Sequence, residues 1–204
     1  MDALRLLRND HQTVQKQFSR FEAARKGKKP IVDRIVKELA IHSAVEEQLF
    51  YPAVRAAAKG EKLEEADEKV LEALEEHHVA KWLLAEIEDM DEDDERFEAK
   101  VSVLIESVRH HIKEEQGPLF RFVRRLMGND QLELLGNALA QAKKAAPTRP
   151  HPRAPDQPPG NLVAGAAAAV LDRGRDLVKT AAAKALNGRN RGGSRRGAER
   201  HPTT

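Results

Sequence analysis

Two stretches of this chain place a histidine four residues before a glutamate on a helical stripe, His42 with Glu46 in one and His111 with Glu115 in the other. Residues i and i+4 lie one turn apart on the same face of an α-helix, so the imidazole and the carboxylate can reach the same ion. Each pair also continues an apolar stripe with helical spacing. A carboxylate on a buried stripe is costly unless something compensates its charge, so the two pairs together indicate metal binding.

Two further histidine positions lie on helical stripes. His11 lies within the stripe of a first helix predicted from about Asp2 to Arg25, and the third predicted helix places His77 or His78 in phase with its leucines. A lone histidine on an apolar face is usually a core residue. Four such positions on four successive helices, two of them paired with glutamate, instead predict a dinuclear metal site inside a four-helix bundle.

Glycine, proline and a run of acidic residues predict the helix boundaries. Two shorter helices are expected after the fourth, near residues 119–127 and 130–144. The predicted boundaries are Gly27 and Pro30 before the second helix, Pro52 as its bend or end, Gly60 before the third, a turn at 89–95, and a break at Gly117–Pro118.

The composition limits the chemistry of the site. The chain has no cysteine, so nitrogen and oxygen are its only strong ligand types, and disulfides and thiol catalysis are excluded. Its N-terminus carries charge at its second and fifth residues, and no segment approaches the ~20 apolar residues that span a bilayer. We therefore expect a soluble, cytoplasmic protein. No phosphate-binding loop, dinucleotide fingerprint or nucleophile triad is present.

Charge divides the chain into two parts. Residues 145–204 hold eleven Arg and Lys against four Asp and Glu, a net charge of +7, whereas residues 1–144 hold 24 against 29, a net charge of −5. We predict a folded unit over 1–145, a proline-rich linker over 146–160, an alanine-rich helix over 161–186 and a disordered basic tail over 187–204. The basic tail could contact nucleic acid or an anionic surface, but a solubilising role is favoured.

The four metal-ligand stretches, in this order, resemble the hemerythrin HHE cation-binding domain over about residues 1–145. The stretches are Asn-Asp-His11, His42-x-x-x-Glu46, Glu-His77 and His111-x-x-x-Glu115, and the flanking Glu46-Glu-Gln-Leu-Phe-Tyr-Pro52 and Glu114-Glu-Gln-Gly-Pro-Leu-Phe120 resemble it too. The tail, with Pro147-Thr-Arg-Pro-His-Pro152, is similar to the C-terminal extension of actinobacterial members.

This resemblance implies an all-α, up-down four-helix bundle with extra C-terminal helices and a non-haem centre of two iron ions joined by an oxo or hydroxo bridge. Glu46 and Glu115 would bridge the ions. The implied metal ligands are His11, His42, Glu46, His77, His111 and Glu115.

The chain departs from the oxygen-carrying hemerythrins on the third helix. They have a second histidine four residues after the first, where this chain has Lys81. A less saturated site favours binding, sensing or reaction with dioxygen, peroxide or nitric oxide over reversible oxygen transport, and allows a di-iron oxidoreductase or catalase-like activity. The alternative function is an interaction or regulatory protein with a structural or sensory metal and a basic tail that contacts a partner. The sequence predicts no oligomeric state.

Residues beside the predicted ligands are expected to have lesser roles. A surface position or a hydrogen bond to a ligating imidazole is expected for His78, His110, Glu47 and Glu114. The alternative is a rotated helix on which His78 or His110 replaces its neighbour as the ligand. Core packing is expected for Tyr51, with metal ligation as the alternative, a core or interface position for Trp82, and a solvated position for Lys81.

Overall fold

The computed structural model describes residues 1–156, Gly160, Asn161 and Asp172. The elements within this part are all helical, which confirms the predicted all-α bundle. Two π-helical turns, Glu46–Phe50 and Glu115–Leu119, join α-helices end to end, so four long helices form the bundle and a fifth follows. The α-helices are α1 (Ala3–Ala23), α2 (Lys29–Val45), α3 (Tyr51–Glu61), α4 (Glu64–Glu88), α5 (Phe97–Glu114), α6 (Phe120–Leu126) and α7 (Asn129–Ala145).

Two hydrophobic clusters fill the interior, one toward each end of the bundle. The first contains Leu4, Leu7, Phe50, Leu74 and Phe120. The second contains Phe18, Ile35, Leu84, Phe97 and Leu104. Along every long helix of the bundle, the predicted metal ligands occupy the turns between these clusters. The apolar stripes therefore enclose one polar layer from both sides.

Carboxylates accept hydrogen bonds from the backbone N–H groups at the N-terminal ends of the first two helices. Asp2 accepts a hydrogen bond from the Arg5 backbone N–H at 2.9 Å and caps α1. At the start of α2, Glu92 from the turn before α5 accepts from the backbone N–H groups of Lys28, at 2.9 Å, and Lys29, at 3.4 Å. These bonds lower the pKa of Glu92. The acidic turn thus fixes α2 against the other half of the bundle.

Two predicted helix boundaries are wrong. Gly60 lies inside α3, which ends one residue later, and Lys62 makes the turn with a left-handed φ of 54°. Gly117 and Pro118 do not break the fourth helix, because they lie within the π-helical turn that continues into α6. A π-helical turn widens the backbone and accommodates the missing N–H of proline without ending the helix.

The last helix closes one end of the bundle by close backbone packing. α7 packs along α1, and the contact point is Gly136. A Cβ atom at this glycine would stand 2.2 Å from the Met1 carbonyl oxygen and 2.8 Å from the Ala3 nitrogen. Glycine therefore permits the N-terminus to lie directly on α7.

The proline-rich segment lies against the bundle. The backbone N–H groups of Thr148 and Arg149 donate to Asp172 Oδ2 at 3.0 and 3.1 Å, and the Arg149 guanidinium pairs with Glu88 of α4. The sequence did not predict these contacts, and the domain limits stay predictions. Most of the predicted alanine-rich helix and all of the basic tail lie outside the described residues. No helix in the described part is both long and apolar enough to span a membrane.

Candidate metal centre

The structure brings all six predicted ligands together in the polar layer, each at most 6% exposed. Their donor atoms form two groups, and Glu46 belongs to both. One group is His11, His42, Glu46 and Glu115, and the other is Glu46, His77 and His111. That these six bind metal stays a prediction, but their convergence from four helices is the arrangement that a dinuclear site needs.

The first group has closely spaced donor atoms. His11 Nε2 lies 3.0 Å from His42 Nε2 and 3.2 Å from Glu115 Oε2. His42 Nε2 lies 3.1 Å from Glu46 Oε2, across the one helical turn that separates the two residues. The i, i+4 spacing on the second helix therefore places both donors at one point.

Glu46 and Tyr51 join the second group to the first. His77 Nε2 lies 3.3 Å from His111 Nε2 and 3.4 Å from Glu46 Oε2. The Tyr51 hydroxyl lies 3.4 Å from His77 Nε2 and donates to Glu115 Oε1 at 3.2 Å. Tyr51 thus packs in the core, as expected, but its hydroxyl lies among the donor atoms.

The donor set fits a pair of cations. Ligand atoms ~2.1 Å from one ion are roughly 3 Å apart when their bonds are near right angles, which is the spacing of these nitrogens and oxygens. Both carboxylate oxygens of Glu46, and Oε2 of Glu115, are buried without a hydrogen-bond donor among the described residues. Buried carboxylate oxygens without donors are rare unless an ion satisfies them.

Each imidazole turns Nε2 toward the cluster and Nδ1 toward a polar side chain. Such outer contacts orient metal-binding histidines and fix which nitrogen carries the proton. A carboxylate that can accept the Nδ1 proton lies 3.2 Å from His77 (Glu47) and 2.7 Å from His111 (Glu76). Asp10 lies 3.7 Å from His42 Nδ1, beyond hydrogen-bonding distance, and the Gln116 amide nitrogen lies 2.7 Å from His11 Nδ1.

Burial sets the protonation of the layer. It lowers the pKa of His42 to about 4 and also lowers the pKa of His77, so both imidazoles are neutral near pH 7 and able to bind a cation. Burial lowers the pKa of His111 as well, but the hydrogen bond with Glu76 and the negative charges of Glu115 and Glu76 together outweigh it, so the net pKa is raised. Burial, together with the nearby Glu115 carboxylate, raises the pKa of Glu46.

The two glutamates occupy equivalent backbone positions. Glu46 and Glu115 are each the first residue of a π-helical turn that follows an α-helix directly. In both turns the N–H five residues on bonds back to the glutamate carbonyl. Such insertions often lie at functional sites, because they redirect side chains within a helix. Pro118 lies within the second turn and Pro52 two residues after the first, and these prolines were the available sequence signal.

Some neighbouring residues differ from the expectations. The prediction that Lys81 is solvated is wrong, since it is buried at 7% exposure and donates to Glu47 Oε2 at 3.0 Å. Trp82 is not a core residue, because it is 41% exposed. His78 and His110 are exposed, as expected. The sequence missed Asp10, Glu76 and Gln116, whose roles depend on contacts between helices.

Comparison with known proteins agrees with this geometry. Residues 2–123 match the hemerythrin HHE cation binding domain. An uncharacterized hemerythrin-like protein of Schizosaccharomyces pombe is 30% identical over 177 residues, which cover 86% of this chain and 82% of that protein. A DNA nickase of Nostoc sp. is 26% identical over 141 residues, or 68% of this chain, and this match spans only 38% of the nickase.

A solved structure shares the fold. The crystal structure of a hemerythrin HHE cation binding domain-containing protein from Mycobacterium kansasii superposes with a TM-score of 0.59 at 20% sequence identity, covering 71% of this chain and 86% of that one. Sequence match, bundle and buried histidine–glutamate layer lead to the same assignment. The chain belongs to the hemerythrin HHE cation-binding domain family.

Proposed function

We propose that this protein is a non-haem di-iron protein that binds, senses or reacts with dioxygen, peroxide or nitric oxide. The observation that carries the proposal is the pair of donor groups that share Glu46. Six donors are too many for one small ion with an open position, but they suit two ions that share a carboxylate. His11, His42 and Glu115 would hold one ion, and His77 and His111 the other.

The donor chemistry supports iron. Imidazole nitrogen and carboxylate oxygen stabilise both the ferrous and the ferric state, so a bound iron pair would supply electrons to a small oxidant. The chain's own residues keep the imidazoles oriented through Nδ1 and exclude bulk water with an apolar layer on each side. Tyr51 donates its hydroxyl proton to Glu115 Oε1, and its oxygen lies 3.4 Å from His77 Nε2, so it orients the Glu115 carboxylate at the edge of the second donor group.

A small cavity adjoins the histidines and limits what can enter. Its volume is about 20 Å³, room for a molecule no larger than about one water or a diatomic. The cavity is lined by the four predicted histidine ligands, by three other polar residues and by five apolar ones. The other polar residues are Ser43, Glu76 and Ser107, and the apolar residues are Leu39, Ala80, Leu84, Val108 and Ile112. An uncharged diatomic or peroxide suits this lining better than an organic substrate does.

Reversible oxygen transport is not favoured. Lys81 stands where the oxygen carriers have another histidine, and its ammonium is bound to Glu47 instead of facing the cluster. The second donor group consequently has fewer imidazoles than in the carriers. An under-ligated ion leaves a position at which a small molecule can react.

Rapid mixing tests this function. We expect the reduced, iron-loaded protein to react with dioxygen, peroxide or nitric oxide in stopped-flow absorption measurements, and not to release dioxygen intact under vacuum. Turnover of peroxide would identify a catalase-like enzyme, and a single change of redox state a sensor. A stable, fully reversible oxygen adduct would contradict the proposal, as would inertness to all three molecules.

The second candidate is an interaction protein with a structural metal. Two observations favour it: the +7 charge of residues 145–204 and the similarity to a protein named a DNA nickase, although the match spans a minor part of that protein. Salt-dependent binding of duplex DNA, or nicking of supercoiled plasmid, combined with inertness of the reduced iron form, would select it.

A further inference from the structure

Lys81 is a buried cation joined to a predicted metal ligand through one carboxylate. Its Nζ donates to Glu47 Oε2 at 3.0 Å, while Glu47 Oε1 lies 3.2 Å from His77 Nδ1. Lys81 follows His77 by one turn of α4, and both side chains reach the same residue of the second long helix. The three groups form a chain, ammonium to carboxylate to imidazole, that ends at the nitrogen opposite the donor atom.

Burying the ammonium of Lys81 and the carboxylate of Glu47 costs desolvation free energy. The side chains of Lys81 and Glu47 are 9% and 6% exposed. A buried ion pair gains little over an apolar pair of the same shape, since desolvation offsets the attraction. What the pair does provide is orientation, because a carboxylate fixed at one oxygen by an ammonium can hold an imidazole N–H with the other.

The main chain of Glu47 is held as well. The Tyr51 N–H is bonded to the Glu46 carbonyl in the π-helical turn, and the following residue, Pro52, has no N–H. In an α-helix or a π-helix, the Glu47 carbonyl would accept from the N–H four or five residues later, which would be that of Tyr51 or Pro52. The carbonyl instead accepts from Asn161 Nδ2 at 3.1 Å, and Asn161 is 4% exposed.

We infer that Lys81 and Asn161 are positioning residues for His77, and that both act through Glu47. Lys81 fixes the carboxylate that orients the imidazole, and Asn161 fixes the backbone from which that carboxylate extends. The C-terminal segment is thereby part of the support of the metal centre. The inference rests on the proposed metal site, but the orientation of His77 can also be measured without metal.

A related arrangement supports the interpretation. At His42, Asp10 lies 3.7 Å from Nδ1 and is itself paired with Lys143 of α7. This second chain is looser at the imidazole, and Lys143 is 27% exposed in its side chain. Lysine, carboxylate and imidazole thus recur in the same order, and the tighter and more buried instance is the one at His77.

The test compares Lys81→Met and Lys81→Arg with Lys69→Met in the full chain. Lys69 lies on the same helix and pairs with Glu72 and Glu114, neither of which contacts a ligand imidazole in the described residues. Cobalt(II) titrations give the metal dissociation constant, and ¹⁵N-histidine NMR of the metal-free protein reports the tautomer and hydrogen bond of His77.

We expect Lys81→Met to raise the dissociation constant about 10- to 100-fold and to change the His77 Nδ1 resonance. Lys81→Arg, which keeps the charge, and Lys69→Met should stay within about threefold of the wild type, on the same basis. Wild-type affinity together with an unchanged His77 signal in Lys81→Met would overturn the inference. Failure of the wild type to bind any metal would instead refute the proposed function, while the metal-free NMR comparison would still test the positioning.

Two more variants complete the design. If Lys81→Met does not fold, the double variant Glu47→Gln with Lys81→Met removes both buried charges together. This double variant should fold, and its metal binding should still be weaker than that of the wild type. Asn161→Ala should raise the dissociation constant by roughly three- to tenfold, less than Lys81→Met, because it leaves the carboxylate in place. An Asn161→Ala variant identical to wild type in both measurements would overturn the role assigned to Asn161.

Discussion

Replacing both Glu46 and Glu115 by alanine is expected to abolish iron binding. Glu46 is the only residue common to the two donor groups, and Glu115 belongs to the first group and accepts the Tyr51 hydroxyl. The four imidazoles that remain would lack any anionic donor within the cluster. Metal analysis of the purified variant after anaerobic loading measures the effect, and we expect a metal content indistinguishable from the buffer background.

The matched controls are His78→Ala and His110→Ala. Each histidine is adjacent in sequence to a predicted ligand but exposed, so removing it should leave iron binding nearly intact. Loss of metal in His78→Ala together with retention in His77→Ala would contradict the arrangement of the third helix. Full metal content in the double glutamate variant would contradict the site itself.

Replacing Glu46 by glutamine is expected to stabilise the metal-free protein while impairing metal binding. Glu46 is fully buried, and neither of its carboxylate oxygens has a donor among the described residues. A buried group left unsatisfied costs about 1–3 kcal/mol, and more if it is charged. The glutamine has nearly the same shape without the charge. Chemical denaturation of the metal-free forms at pH 8 measures the gain.

The gain should depend on pH in one direction. Because burial and Glu115 raise the pKa of Glu46 above its unfolded value of 4.5, the folded state holds the proton more tightly. The wild type therefore loses stability as pH rises from 4.5 to the folded-state pKa of Glu46. Over this range the free energy of unfolding of Glu46→Gln should increasingly exceed that of the wild type. Glu72→Gln, an exposed control, should change stability little at any pH. A destabilised Glu46→Gln at pH 8 would contradict this explanation.

The sequence was sufficient to predict the fold class and the composition of the cluster. Both depend on helical spacing, which is local: His42 and Glu46 are one turn apart whatever surrounds them. The choice of His77 over His78 came from family resemblance, and burial in the structure agrees with it.

The remaining features depend on contacts that periodicity does not encode. The sequence predicts a surface position for Lys81, because it does not show that Glu47 of another helix lies beside this lysine. Gly117 and Pro118 read as a helix end because backbone preference alone does not distinguish a break from a π-helical turn. The contact of Asn161 with the Glu47 carbonyl joins residues 114 positions apart in the chain, so no local pattern predicts it.

The metal content of the purified full chain tests the central claim most directly. Elemental analysis of protein from iron-replete cells, with an ultraviolet-visible spectrum of the same sample, gives the identity and number of the ions. Two donor groups that share Glu46 predict about two irons per chain and charge-transfer absorption in the near ultraviolet. One iron per chain, or zinc alone, would contradict the di-iron account.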